Sequence, residues 1–137
     1  MAGQKGRDIL LKISDGGGAY VTLAGIRASR IQLSAALVDA TSADSPEAWR
    51  ELLAGAGAKA AKVTGRGVFK DAASDARMRA VFFAGEAPDW QFILPDFGTL
   101  AGAFQVSELS WSGEHDGEAE FSVTLESAGL VSFEAMP

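Results

Sequence analysis

The sequence predicts a mainly β domain, an antiparallel β-sandwich or barrel with one flanking helix. Three observations predict it. Short stretches of alternating apolar and polar residues recur along the chain. Glycine-rich turns separate them. One segment, around residues 46–54, opens with a full set of helix-start signals.

The first strand is expected over Asp8–Ser14, where Ile9, Leu11 and Ile13 alternate with Leu10, Lys12 and Ser14. Asp15-Gly16-Gly17-Gly18 then reads as a turn, and Tyr20–Arg27 as the partner strand of a hairpin. Arg30–Val38 continues extended, and Ala40–Asp44 forms a loop. Ser45-Pro46-Glu47 supplies an N-cap serine, a first-turn proline and a carboxylate at the positive end of the dipole. Trp49, Leu52 and Leu53 follow at helical spacing and are expected to anchor this helix in the core. Lys59–Phe69 reads as a strand in which Gly65 and Gly67 mark a bulge or a close backbone approach. A second short helix over about 75–84, capped by Ser74, is predicted from Met78, Val81 and Phe82.

Trp90–Leu94 and Thr99–Trp111 are further strands, joined by the turn Pro95-Asp96-Phe97-Gly98. The cleanest alternation lies in Glu118–Glu126. Ala119, Phe121, Val123 and Leu125 point one way, while Glu118, Glu120 and Glu126 point the other with Ser122 and Thr124. Ala128-Gly129 is expected to turn into a last strand, Leu130–Glu134. Trp49 and Trp90 read as core residues and Trp111 as interfacial.

The length, 137 residues, suits a single domain over residues 1–137. Its apolar fraction of 47% includes 25 alanines, and 16 glycines come on top, so the core is thin and neighbouring copies are needed to finish burying it. No apolar run approaches the roughly 20 residues that span a bilayer, and the N-terminus lacks a signal-peptide core of about 7–15 apolar residues. The chain is therefore expected to be made and kept in the cytoplasm. The absence of cysteine removes disulfides, thiolate metal sites and cysteine nucleophiles together.

Charge is placed unevenly. All 12 bases lie at or before Arg79, where the net charge is +4, and residues 80–137 carry ten acids and no base. Either the two halves interleave in one fold, or basic and acidic surfaces meet on neighbouring copies. The acidic half argues against wrapping a nucleic acid as ligand, because phosphate contacts need Lys or Arg.

No arrangement points to catalysis. His115, the single histidine, sits in Glu114-His115-Asp116-Gly117-Glu118 and reads as an exposed turn residue, because a tight turn sends neighbouring side chains apart. Gly65-Arg66-Gly67-Val68-Phe69-Lys70 lacks the third glycine of a dinucleotide fingerprint and the Gly-Lys-Ser/Thr ending of a phosphate loop. Glu118 and Glu120 are same-face neighbours on one strand, which reads as a solvated or lumen-facing acidic face rather than a glycosidase pair. The expected protein is not an enzyme and carries no cofactor and no metal.

In order and spacing, several segments resemble the major tail proteins, or tail tube proteins, of long-tailed bacteriophages and phage-tail-like particles. They are Val38-Asp39-Ala40-Thr41-Ser42, the stretch Ser45–Leu53, Ala54–Lys59 and Val63–Asp71. Towards the C-terminus come Pro95-Asp96-Phe97-Gly98, Leu100–Ser107, His115-Asp116-Gly117-Glu118 and Thr124–Gly129. The resemblance implies two packed antiparallel sheets flanked by a helix, six copies in a ring, and rings stacked head-to-tail into a tube that conducts DNA into a recipient cell. It implies tail terminator, distal tail and tape-measure proteins as partners, and a place in the tail of a virion or phage-like particle. The C-terminal decoration domain of many relatives is expected to be missing. With net charge −6, a six-membered ring carries −36. Glu118, Glu120 and Glu126 would then line an acidic channel that repels DNA. Two alternatives are the inner tube of a contractile tail or secretion machine, and a small β-sandwich binding module.

Overall fold

The computed structural model describes residues 9–55, 57–70, 72–113, 117 and 119–135. Seven strands follow in chain order: β1 (Leu10–Ser14), β2 (Tyr20–Thr22), β3 (Ile26–Ala35), β4 (Lys59–Val68), β5 (Asp89–Leu94), β6 (Gly98–Ser112) and β7 (Glu120–Ala135). One α-helix, α1 (Ala73–Ala84), lies between β4 and β5. All pairings are antiparallel, in the order β2-β1-β5-β6-β7-β4-β3.

The connection between the two edges dictates the shape. β2 and β3 sit at opposite edges of the sheet, yet only Leu23, Ala24 and Gly25 join them. Four residue steps span at most about 14 Å, whereas a flat seven-stranded sheet is roughly 29 Å across. The sheet therefore rolls until its edges lie close, without closing. The long strands make this possible. The first part of β6 pairs with β5 and with the end of β7, and its second part pairs only with the first part of β7. Register shifts at Gly102/Phe104 and Val106/Glu108 mark the bend. Two layers result. One contains β2, β1, β5 and the abutting ends of β6 and β7. The other contains β3, β4, the first half of β7 and the second half of β6.

The alternating residues predicted from sequence fill the space between the layers. Leu11, Ile13, Val63, Trp90, Phe92, Phe104, Phe121, Val123 and Leu125 are all buried. Phe92 stacks on Trp90 at 6.0 Å and meets Phe104 edge-on at 4.9 Å. A Cβ placed on Gly65 of β4 would lie 3.1 Å from Leu11 of β1, so the layers touch directly there. At Gly67 the approach is tighter, with a Cβ only 1.9 Å from the Gly25 carbonyl oxygen. The glycine pair thus marks the close approach its sequence predicts.

Helix α1 adds Met78 and Val81 to the core and packs against β1, β2 and β6. Its start differs from expectation. Ser74 lies inside the first turn, and its Oγ accepts the Ala24 N–H at 3.1 Å, fastening the helix to the β2–β3 link. The Asp75 carboxylate accepts the Ala72 N–H at 2.9 Å instead. Gly85, left-handed with φ of 70°, ends the helix.

Two other expectations are corrected. The helix predicted over 46–54 is a single 3-10 turn, Pro46–Ala48. Glu47 takes a positive φ of 50°, and Trp49 is already extended. Ser45 Oγ accepts the Ser42 N–H and caps nothing. The apolar stripe has no surface to pack on, and so short a helix does not stand alone in water. Residues 36–55 and 57–58 instead belong to a projecting arm in which Leu52 bridges Asp39, and Val38 and Ala40 exchange backbone bonds with Leu53 and Glu51. The turn expected at Ala128-Gly129 is also absent, since β7 runs through it alongside β6.

Candidate assembly interface

The layer built from β3, β4, β7 and β6 has one face on the core and one in solvent. Directly paired residues share a face, so registers define the solvent face. Row by row, Gln32, Lys62, Glu126 and Gln105 align, then Arg30, Thr64, Thr124 and Glu108, then Ala28, Arg66, Ser122 and Ser110, and last Val68, which is buried, with Glu120 and Ser112. Ser110 and Ser122 confirm the register by a direct hydroxyl–hydroxyl hydrogen bond at 2.5 Å.

Glu120 and Glu126 stand on this face as their alternation predicts, whereas Glu118 lies outside the described residues, as does His115. The expectation of an acidic surface without compensating base needs correction. Arg30, Lys62 and Arg66 share the face with Glu108, Glu120 and Glu126, and Lys62 stands directly across from Glu126. In the aligned rows three bases therefore balance three acids. The other side chains of these rows are Ala, Ser, Thr and Gln with the buried Val68, and none is an aromatic ring for a base to stack on. The basic and acidic halves of the sequence interleave in one sheet because β4 pairs with β7.

Both edges of this layer are open. Among the described residues β3 pairs as a strand only with β4, and β6 beyond Phe104 pairs as a strand only with β7. Neither stretch contains proline, so each offers backbone donors and acceptors for another strand. Sequence reasoning missed these edges, because edge position is a property of topology rather than of side chains.

Apolar surface is exposed elsewhere. Trp49, Leu52 and Leu53, predicted as core anchors, are 72%, 43% and 55% exposed. Leu37 and Val38 join them on the arm. At the arm's base lies a groove of about 610 Å³ whose apolar lining includes Leu33, Leu100, Leu130, Val131 and Phe133. Phe82 and Phe83 are exposed on α1. Apolar exposure on this scale fits a subunit that finishes its burial against neighbours. The carboxyl of Asp39, within the arm, is held below its ordinary value by hydrogen bonds from the Thr41 side chain and backbone N–H. Among the described residues no group of His, Asp or Glu is arranged to hold a metal ion, and no helix is long and apolar enough to cross a membrane.

A rolled sheet with two open edges, a projecting apolar arm and a small-residue polar face is the anatomy of a self-assembling tube subunit. The chain belongs to the phage tail tube protein family, which matches residues 3–133. Among solved structures it is similar to a chain from the tail of an empty gene transfer agent particle with C6 symmetry. The identity there is 47%, the TM-score 0.92, and the match covers 97% of this chain and 100% of the other. A chain from the virion of a native gene transfer agent particle matches at 46% identity and TM-score 0.89, with the same coverage. The SPP1 tail tube shares the fold at 12% identity and TM-score 0.70, covering 93% of this chain and 76% of the other. No curated protein matches.

Proposed function

We propose that the chain is the structural subunit of a phage-like tail tube that carries DNA from a particle into a recipient cell. The 47% identity to a C6 tail chain over 97% of the sequence carries this reading. Six copies join laterally into a ring, and rings stack head-to-tail. The four-stranded layer of each copy contributes to a barrel of twenty-four strands. At about 4.8 Å per strand the circumference is roughly 115 Å, and strand tilt widens it further. Such a channel admits a DNA duplex.

The polar face with Glu120 and Glu126 lines the channel. The balanced charges of its aligned rows and their lack of rings leave a passing duplex little to adhere to. The arm and its Trp49 reach a neighbouring ring. Tail terminator and distal tail proteins meet the two ends, and a tape-measure protein fills the lumen before ejection. The role is structural, without catalysis, and lies in the tail of a virion or gene-transfer particle; the two gene transfer agent relatives support the latter.

Negative-stain microscopy of the purified chain across a concentration series tests this. Six-fold rings or tubes are expected. A monodisperse monomer at high concentration, under every salt condition, refutes it.

A further inference from the structure

The polar face carries a division that charge balance alone does not require. The three cations of its aligned rows all lie on β3 and β4, and the three acids of those rows all lie on β7 and β6. The open β3 edge is therefore bordered by a cationic band and the open β6 edge by an acidic one. Among the described residues none of the six forms an ion pair within the subunit.

From this we infer that the division of charge selects which edges of two copies join: β3 of one against the second half of β6 of the next. The inference rests on the tube reading and specifies its lateral contact. Backbone geometry alone permits more than one pairing. β6 and β3 are separated by three antiparallel steps and so run in opposite directions. A copy rotated about the tube axis keeps its direction, so β3 meets the next β6 antiparallel. A two-fold axis would also allow β3 to meet β3, giving a closed dimer that never becomes a ring.

Charge separates the two. A β3–β3 contact sets two cationic bands side by side, and a β6–β6 contact sets two acidic bands together. The β3–β6 contact alternates them around the ring. Each band is two strands, or about 10 Å, wide, which matches the screening length of roughly 8–10 Å. Each extends along its strands from the row of Lys62 to the row of Arg66 or Glu120. The preference thus survives whatever stagger ring closure imposes. Like-charge juxtaposition at the wrong edge is the repulsive element that specific pairing needs.

Reversing one edge at a time tests the inference. Arg30→Glu puts an acid on both outermost strands in the row that holds Glu108 and cuts the cationic band from three charges to one, and Glu108→Arg puts a base on both and cuts the acidic band likewise. Both sites are exposed, and circular dichroism of the dilute subunit checks that the fold is retained. At about 0.05 M salt each variant alone should need about tenfold more protein to form rings than wild type. Mixing the two in equal amounts, or combining both changes in one chain, should restore assembly to within about threefold. In 1 M salt, where screening shortens to about 3 Å, the differences should vanish. Single variants that assemble like wild type overturn the inference while leaving the tube reading intact. So does a double variant or a mixture that fails to recover. A wild-type chain that forms no ring at all refutes the tube reading itself.

Discussion

Trp49 offers the sharpest separation of folding from assembly. It is 72% exposed, so most of its ring lies outside the subunit's own packing. Trp49→Ala therefore opens no cavity, and the stability of the isolated subunit should change by less than about 0.5 kcal/mol. Assembly should respond very differently. A tryptophan contributes about 150–250 Å² of burial, so covering the exposed share removes roughly 110–180 Å² from water. At about 25 cal/mol per Å² that is some 3–4.5 kcal/mol per subunit, an upper range because alanine keeps part of the contact. With about 1.4 kcal/mol per tenfold, the concentration at which tubes form should rise by up to ~10²–10³-fold. Thermal melts by circular dichroism below the assembly threshold give the first quantity, and light scattering over a concentration series gives the second. A melting temperature several degrees lower would place Trp49 in the subunit's own packing. An unchanged assembly threshold would show that the ring stays in water in the tube.

Three further outcomes follow from the described geometry. Replacing Glu120 and Glu126 by lysine raises the charge of the polar face by +4, or by +24 for six copies, so particles with normal tails by microscopy should deliver DNA more slowly; unimpaired delivery would mean the face points away from the channel. Gly67→Ala sets a Cβ 1.9 Å from a backbone oxygen and should cost about 2–4 kcal/mol in urea unfolding, whereas Gly113→Ala, whose nearest neighbour is 3.9 Å away, should stay within about 0.5; equal stabilities would contradict the close approach. Asp39 has a folded-state pKa below its ordinary value of 3.8, so its contribution to the arm is present above that value and lost as pH falls through the lowered midpoint. Its carboxyl, followed by NMR in the unassembled subunit, should titrate below 3.8, and Thr41→Val should raise the midpoint; a wild-type midpoint at or above 3.8 would deny the hydrogen bonds their role.

What was legible in the sequence was local and periodic. The alternation of Phe121, Val123 and Leu125 against Glu120 and Glu126 marked both faces of β7, and Gly65 and Gly67 marked the layer contact. The α1 pattern gave its position, though not its cap, because Ser74 bonds to Ala24, fifty positions away. The Ser45–Leu53 signals failed for a specific reason. Cap residues and an apolar stripe favour a helix only where a surface receives the stripe, and this one leaves the subunit. The balance of the polar face was equally hidden. Reading Glu120 and Glu126 as uncompensated required counting only their own half of the chain, and β4 brought Lys62 and Arg66 alongside from the other half.

The contrast between the open sheet edges and the arm bears on how a tube of this chain deforms. Around the circumference, the proposed joints are backbone hydrogen bonds between regular strands, short-ranged and directional. Along the axis, the proposed joints are side chains on an arm held to the body at residues 36 and 58. Such a cylinder is stiff in hoop and compliant in bending. A long tail can curve by small tilts between successive discs while each disc keeps its bore round, so a bent conduit does not pinch the polymer inside it.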